Sequence, residues 1–174
     1  IGSELCRQAI QHMPKKIILL DISEENLYKI NEELLQINIY KIKIISILGS
    51  SSNFKLVSKT IKDNNIDIIF HAAAYKHVPI VELNPIEGIK NNIFSTVAVC
   101  EASLENHIEK LILISTDKSV MPTNIIGASK RVAELVVQAY AEKESTKLNK
   151  NSSYKEKLFS MVRFGNVLAS SGSV

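Results

Sequence analysis

The sequence has few of the residue types that mark specialised classes of protein. It contains no tryptophan, and aromatic residues make up 6% of its 174 positions, so nothing indicates a base-stacking surface for nucleic acid. Its two cysteines, Cys6 and Cys100, fall in predicted helices without metal-ligand spacing, which indicates free thiols in a reducing compartment and no metal site. No apolar run approaches the roughly 20 residues that cross a bilayer, so we expect no membrane contact in this segment.

The charge and length of the chain limit its class further. Lysine and arginine number 21 against 18 acidic residues, a net charge of +3, and the lysines are scattered, which is typical of an ordinary solvated surface. With 45% apolar residues, the chain can bury one substantial core, and its length favours one domain. We expect a cytoplasmic protein, with any membrane anchor of the full-length protein upstream of this segment.

The pattern of apolar residues predicts an α/β protein. Five short runs rich in Ile, Leu, Val and Phe are predicted strands, at 16–20, 42–48, 66–71, 111–115 and 158–164. Five longer stretches are predicted helices, at 3–13, 23–37, 53–64, 84–106 and 123–144. The strands are continuously apolar, which favours a parallel sheet covered on both faces, as in a Rossmann-like doubly wound fold. The polar stretch 145–157 is predicted to be a surface loop.

Both ends of the chain are expected to be cut. A doubly wound fold normally opens with a strand and a glycine-rich turn, and its strand order is 3-2-1-4-5-6. This chain enters a helix at once, so Gly2 is interpreted as the last glycine of a G-x-x-G-x-x-G motif whose strand is missing. Residues 1–174 are predicted to be a partial NAD-binding Rossmann-like domain. Residues 165–174 are expected to enter a substrate-binding region, most of which is missing.

Two features indicate where a dinucleotide would bind. Asp21 ends the first apolar run about 20 residues after Gly2, where an acid accepts hydrogen bonds from the adenosine ribose hydroxyls. The next residue is Ile22 rather than a cation for a 2′-phosphate, which favours NAD over NADP; an Asp that caps the next helix is the alternative. Ala72, Ala73 and Ala74, which follow the third strand, leave room for a cofactor, although small residues there also serve packing alone.

A cluster of ionisable residues indicates proton-transfer chemistry. Asp117 and Lys118 stand side by side at the end of the fourth apolar run, and Lys130 follows on the next predicted helix. An acid and two amines at the end of a buried strand are suited to moving protons on a substrate. A solvated polar turn is the alternative for an Asp-Lys pair. Four residues before Lys130 stands Ile126, which cannot titrate.

Motifs along almost the whole chain resemble those of the extended short-chain dehydrogenase/reductases, specifically the bacterial polysaccharide-biosynthesis UDP-N-acetylglucosamine 4,6-dehydratases. They are Asp21 and the stretches 71–79, 91–92, 115–118, 122–124, 127–130 and 163–168. The resemblance implies an enzyme that converts a UDP-sugar to a 4-keto-6-deoxy sugar with tightly bound NAD, for surface polysaccharide or glycan biosynthesis. It also implies a homo-oligomer in the full-length protein. Without its central strand, this segment alone is expected to fold poorly, to bind NAD weakly and to be inactive.

The resemblance implies a role for each candidate residue. Asp117 would deprotonate the C4 hydroxyl and protonate the leaving C6 oxygen, while Lys118 would take the C5 proton. Thr116 would hydrogen-bond the C4 oxygen, and Lys130 would hold the nicotinamide ribose. The resemblance also implies that Asn92 binds the cofactor. It implies that the substrate is bound by Lys76, His77 and Asn166. No metal is implied.

Ile126 separates this chain from most of the superfamily. Other members carry a tyrosine there as the base, acidified by the lysine four residues later. One branch of these dehydratases commonly has methionine instead, and this chain resembles that branch. The proton transfers would then depend on Asp117 and Lys118. An amine can take a proton at neutral pH only when burial or a nearby cation such as Lys130 lowers its pKa well below about 10.4.

Two other functions remain open from the sequence. A nucleotide-sugar 4-epimerase shares the fold and cofactor but needs only reversible oxidation at C4. A domain that binds nucleotide without turnover is the non-enzymatic alternative, which Ile126 keeps open.

Overall fold

The computed structural model describes residues 1–150 and 157–165 of the chain, with side chains described up to residue 146 in the first range. The helices there are α1 Gly2–Gln11, α2 Glu24–Ile37, α3 Phe54–Asn64, α4 Val78–Leu83, α5 Pro85–Ile89, α6 Ser95–Glu105 and α7 Ile125–Lys150. The strands are β1 Lys16–Asp21, β2 Lys43–Leu48, β3 Ile68–His71, β4 Lys110–Thr116 and β5 Leu158–Phe164. The chain divides into two compact units, Ile1–Ser51 and a second that begins at Ser52.

The first unit is a parallel pair of strands with two helices. β1 and β2 pair in register from Lys16 opposite Lys43 to Asp21 opposite Leu48. The amphipathic helix α2 begins where the Ser23 hydroxyl accepts a hydrogen bond from the Asn26 amide at 3.3 Å, a favourable N-cap. The buried core of the unit comprises Ile10, Ile17, Leu19, Leu27, Ile30, Leu34 and Ile42.

The second unit contains a three-stranded parallel sheet in the order β3, β4, β5. β4 lies in the centre, so most of its apolar residues are buried, and Leu111 and Leu113 are fully inaccessible. Helices α3, α6 and α7 contribute to the same core, which comprises Val57, Ile61, Val99, Cys100, Ala102, Ile108, Leu111, Leu113, Ala133, Val137 and Phe159. The expected Rossmann-like α/β class is confirmed, because the strand pairs among the described residues are all parallel and helices connect the strands.

Some expectations about individual elements need correction. The polar stretch from residue 145 was expected to be a loop, but α7 continues to Lys150; residues 151–156 lie outside the described part. The buried Glu144, just before this extension, pairs through its carboxylate with Lys157 at 3.6 Å. Helix α4 was not predicted, since it has six residues with proline in its first turn.

Two strands, β2 and β3, are less buried by neighbouring elements than expected. β2 and β3 were expected to be covered on both faces, yet Leu48, Ile68 and Phe70 are about half exposed. Each of these strands pairs with one neighbour among the described residues, so one edge of its backbone and part of its side chains stay accessible. No helix in the described residues is long and apolar enough to cross a membrane.

Candidate active site

The candidate site is built at the carboxyl end of β4. The strand ends at Thr116, which lies opposite Phe164 at the end of β5, and a single 3-10 turn, Asp117–Ser119, follows. The Thr116 hydroxyl caps this turn, since it accepts a hydrogen bond from the Lys118 amide at 3.4 Å and donates to Asp117 Oδ1 at 3.0 Å. The carboxyl ends of parallel strands are where α/β folds place their ligands.

Asp117 and Lys118 form a close but accessible pair. Lys118 Nζ lies 3.5 Å from Asp117 Oδ1, and the two side chains are 46% and 58% exposed respectively. The hydrogen bond from Thr116 lowers the pKa of Asp117 against the opposing effect of burial, and the Lys118 charge adds to the lowering. Asp117 is therefore an ionised carboxylate at neutral pH and can accept a proton. The Lys118 side chain is about half exposed, so burial, one of the two conditions under which it was expected to act as a base, is not met.

Lys130 is the buried amine of the site. It lies on α7, is 8% exposed, and donates a hydrogen bond from Nζ to the Ile114 carbonyl oxygen of β4 at 2.8 Å. Burial lowers its pKa to about 8, while the negative charge of Glu134 acts in the opposite direction. Lys130 is thus fixed against β4 with a readily lost proton.

Helix α7 packs tightly against the turn that carries Lys118. Its first turn is capped by Asn124 Oδ1, which accepts from the Gly127 amide at 2.8 Å, and by Glu82 Oε1, which accepts from the Ile125 amide at 2.6 Å. A Cβ atom on Gly127 would lie 2.5 Å from the Lys118 carbonyl oxygen, so only glycine permits this approach. Ile126, beside it, is buried with 6% exposure.

Asn92 holds the loop that contains the three alanines. It lies on a π-helical turn, Lys90–Phe94, between α5 and α6, and is 1% exposed. Its Oδ1 accepts a hydrogen bond from the Tyr75 amide at 2.8 Å, and its Nδ2 donates to the Ser129 hydroxyl of α7 at 3.0 Å. Asn92 therefore fixes the backbone that follows Ala72, Ala73 and Ala74. The helix predicted at 84–106 continues through this turn. Nothing in the sequence pattern indicated that the turn would be π-helical.

His71 at the end of β3 is neutral and structural. The hydroxyls of Ser95 and Thr96 donate to the carbonyl oxygens of Asn91 and Asn92, so each can only accept a hydrogen bond from His71 Nε2. That nitrogen lies 3.2 Å from Thr96 Oγ1 and 3.4 Å from Ser95 Oγ, which assigns its proton to Nε2. Burial lowers the pKa of His71 to about 3, and the charge of Lys130 acts in the same direction.

In the first unit, Asp21 ends β1 as predicted. Its Oδ1 accepts a hydrogen bond from the Ser23 amide at 2.8 Å, which shapes the turn into α2, where Ser23 rather than Asp21 is the N-cap. Asp21 Oδ2 accepts no hydrogen bond from the described residues, so one oxygen is available to a ligand. Gly2 is the first residue of α1, and a Cβ there would meet nothing within 4 Å.

The predicted substrate residues are only partly described. Lys76 and His77 are exposed in the loop before α4, and Asn166 lies outside the described residues. Gly165, which follows β5, faces the site, since a Cβ there would lie 3.8 Å from Asp117 Oδ2.

One buried residue of the site, Glu134, was not predicted. It lies on α7 one turn after Lys130, is fully inaccessible, and accepts hydrogen bonds from Ser115, Ser119, Arg131 and Arg163. A signal for it exists in the sequence, because a single acid stands among the apolar residues of 132–137. Arg163, a cation within an apolar predicted strand, was a second signal, because a buried acid needs a charged partner.

Comparisons with known proteins agree on one family. A family model described as "Polysaccharide biosynthesis protein" matches residues 1–174. The chain is 42% identical over 174 residues to the capsular polysaccharide biosynthesis protein CapD of Staphylococcus aureus and 34% identical over 160 residues to a UDP-glucose 4-epimerase of Rickettsia canadensis. Among solved structures, Pen from Bacillus thuringiensis is similar with a TM-score of 0.85 and 31% identity.

The chain is shorter than each of these relatives. The match covers all of this chain but 27% of the staphylococcal protein, and 90% of this chain but 44% of the rickettsial one. It covers 99% of this chain and 50% of Pen.

Proposed function

The chain belongs to the polysaccharide biosynthesis protein family, and we propose that it carries the cofactor-binding and catalytic residues of a nucleotide-sugar 4,6-dehydratase. The proposed substrate is UDP-N-acetylglucosamine and the product a 4-keto-6-deoxy sugar. One observation carries the proposal: the side chains of Asp117 and Lys118 lie 3.5 Å apart at the end of β4, next to a helix whose residue 126 is a buried isoleucine.

The reaction requires proton transfers at three positions of the sugar. The C4 hydroxyl must lose a proton as C4 is oxidised, the C5 proton must be removed, and the C6 oxygen must gain a proton as water leaves. A bound nicotinamide cofactor would supply a temporary hydride acceptor, so that no net oxidation occurs. The protein must therefore provide a base for C4, a base for C5 and an acid for C6.

Asp117 is suited to the first and last of these transfers. Its lowered pKa keeps it ionised and able to take the C4 hydroxyl proton, and the proton it gains can then be given to the C6 oxygen. Thr116, whose hydroxyl donates to Asp117 at 3.0 Å, is placed to hydrogen-bond the same substrate oxygen. Lys118, with its amine 3.5 Å from Asp117, is the proposed base for C5.

Each unit, taken by itself, offers residues suited to one part of a nicotinamide dinucleotide. Lys130 presents a buried ammonium, a suitable donor for the nicotinamide ribose, and Asp21 has one carboxylate oxygen without a hydrogen-bond partner in the described residues, suited to the adenosine ribose. Ile22 after Asp21 favours NAD over NADP. Gly2, Asn92 and the three alanines are proposed to contact or support the cofactor, and Lys76, His77 and Asn166 to contact the UDP-sugar.

A nucleotide-sugar 4-epimerase is the second candidate, and the relatives named UDP-glucose 4-epimerase, 34 to 36% identical to this chain, favour it. An epimerase removes and returns hydride at C4 and needs no base for C5. The adjacent Asp117 and Lys118 are therefore better explained by elimination across C5 and C6.

The product formed from UDP-N-acetylglucosamine by the full-length protein separates these functions. NMR of the product should show a 4-keto-6-deoxy sugar. A galacto epimer that retains its C6 hydroxyl would establish the epimerase. Nucleotide binding without any product would indicate a domain without turnover.

A further inference from the structure

Glu134 is a buried carboxylate with no solvent contact. Its exposure is 0%, and it lies in the second unit on α7, one helical turn beyond Lys130. An ionised carboxylate away from water is strongly unfavourable unless both oxygens are hydrogen-bonded and its charge is paired. The partners of Glu134 therefore show which parts of the fold it holds.

Four side chains donate to the two oxygens of Glu134. Oε1 accepts from Ser115 Oγ at 2.7 Å, Ser119 Oγ at 2.6 Å and Arg163 Nε at 2.8 Å. Oε2 accepts from Arg163 Nη2 at 2.7 Å and Arg131 Nη1 at 3.1 Å. The Ser119 hydroxyl also lies 2.6 Å from the Thr116 carbonyl oxygen, and its one proton serves one acceptor at a time. Both oxygens of Glu134 are fully used within the protein.

Three of the four donors are direct sequence neighbours of a proposed catalytic residue. Ser115 precedes Thr116, Ser119 follows Lys118, and Arg131 follows Lys130. The fourth, Arg163, lies two residues before Gly165, which faces Asp117. The carboxylate thus ties the end of β4, the 3-10 turn and the end of β5 to α7 from the buried side.

The charge of Glu134 also acts on Lys130. Burial would raise the pKa of Glu134, but hydrogen bonds from Arg163, Ser119, Ser115 and Arg131 lower it to about 2, so it stays ionised throughout the working pH range. The negative charge of Glu134 raises the pKa of Lys130, against the lowering by burial. His71 of β3 also interacts electrostatically with Lys130, but it is neutral and contributes no charge.

We propose that Glu134 is a positioning residue, which holds the turn Asp117–Ser119 and the end of β5 in place relative to α7 and Lys130. The proposal rests on the proposed function, in which Asp117 and Lys118 transfer protons and Lys130 holds the cofactor. Glu134 itself touches none of the reacting atoms.

Glu134→Gln in the full-length protein tests this role. The amide has the shape of the carboxylate but no charge, and the side chains of Arg131 and Arg163 are each 40% exposed, so their charges remain hydrated and the fold is retained. We expect kcat to fall by about ten- to a hundredfold, because small displacements of catalytic groups have effects of that size. KM for the UDP-sugar should change little.

Glu144→Gln is the matched control. Glu144 lies on the same helix, is 1% exposed, and pairs with Lys157 at 3.6 Å, outside the proposed catalytic residues. Both variants lose a buried carboxylate, and both should unfold at lower temperature. Only Glu134→Gln should lose kcat. Equal loss of kcat in the two variants would overturn the proposal, because it would reduce Glu134 to a contributor to stability.

The titration of Lys130, followed by NMR of 13C-labelled lysine, provides a second measurement that needs no turnover. With the anion removed, the pKa of Lys130 should move downward in Glu134→Gln and stay unchanged in Glu144→Gln. An unchanged titration in Glu134→Gln would contradict the effect of the Glu134 charge on the pKa of Lys130. If the wild-type protein forms no keto sugar, the proposed dehydration fails, while this titration still decides what Glu134 does to Lys130.

Ser119→Ala separates positioning from charge. It removes the contacts of the Ser119 hydroxyl with Glu134 and with the Thr116 carbonyl oxygen and leaves both arginine pairs intact, so folding is preserved. We expect a smaller loss of kcat than in Glu134→Gln, with the Lys130 titration unchanged. Full activity in Ser119→Ala would overturn the claim that Glu134 holds the turn through this serine.

Discussion

Substitution of Gly127 by alanine should displace the turn that carries Lys118. A Cβ on residue 127 would lie 2.5 Å from the Lys118 carbonyl oxygen, against 3.4 Å for ordinary contact, a shortfall of about 0.9 Å. The same Cβ would lie 3.2 Å from Pro122 Cβ. Since the first clash is with backbone, a side-chain rotation cannot relieve it, and either α7 or the turn must move.

Two opposing effects set the change in the free energy of unfolding. Overpacking of this kind costs about 1 to 3 kcal/mol, and the upper half of that range fits a clash with backbone. Alanine in a helix is favoured over glycine by about 1 kcal/mol. The variant should therefore be less stable by about 1 to 2 kcal/mol. Movement of Lys118 by a large part of an ångström should lower kcat by about tenfold or more.

Thermal unfolding and steady-state turnover of the full-length protein measure both effects. Gly88→Ala is the matched control, because its Cβ would lie 2.6 Å from Val81 Cγ1, a clash away from Lys118. It should lower the unfolding temperature but leave kcat near wild type. If Gly127→Ala is as stable and as active as wild type, α7 does not lie against the Lys118 backbone, and the geometry proposed for the site is wrong.

Three further substitutions test other parts of the site. Burial lowers the pKa of Lys130 from 10.5 to about 8, so the unfolded chain binds more protons between those pH values and stability rises with pH there. Between those pH values, the free energy of unfolding from denaturant experiments should rise by roughly 3 kcal/mol more in wild type than in Lys130→Met. If the free energies of the two proteins change with pH in parallel, Lys130 is not buried as described. Asp21→Ala should weaken NAD binding by about tenfold or more in calorimetry, through loss of charge-assisted hydrogen bonds; unchanged affinity would exclude Asp21 as the ribose ligand. Ile126→Tyr should lower the unfolding temperature without raising kcat, since a larger ring enters a buried position and Asp117 and Lys118 already transfer the protons; faster turnover would contradict their roles.

The strands and most helices could be predicted from the sequence because their signals are local. Continuous apolar runs located all five strands to within two residues at either end. The starts of α2 and α3 follow the predicted starts at 23 and 53, where the side chains of Ser23 and Asn53 accept backbone hydrogen bonds as N-caps. The end of α7 was not predicted, because residues 145–150 are polar and the helix nevertheless continues through them to Lys150.

The chemistry of the site was predictable only where it depends on residue type and order. Asp117, Lys118 and Lys130 were found from their sequence, but which of the two lysines is buried depends on packing against β4. From the sequence, either burial or the nearby cation Lys130 could have allowed Lys118 to act as a base, whereas the structure buries Lys130 and leaves Lys118 exposed. The π-helical turn that brings Asn92 onto the Tyr75 backbone has no sequence pattern of its own.

The most direct measurement is the fate of solvent deuterium when the full-length protein turns over UDP-N-acetylglucosamine in D2O. Proton removal and return at C5 by Lys118 predicts a 4-keto-6-deoxy product with deuterium bound to C5 in wild type. Lys118→Met should form no such product while it still binds NAD. A product without carbon-bound deuterium, or the labelled keto sugar made by Lys118→Met at the wild-type rate, would contradict the assignment of Lys118 as the base for C5.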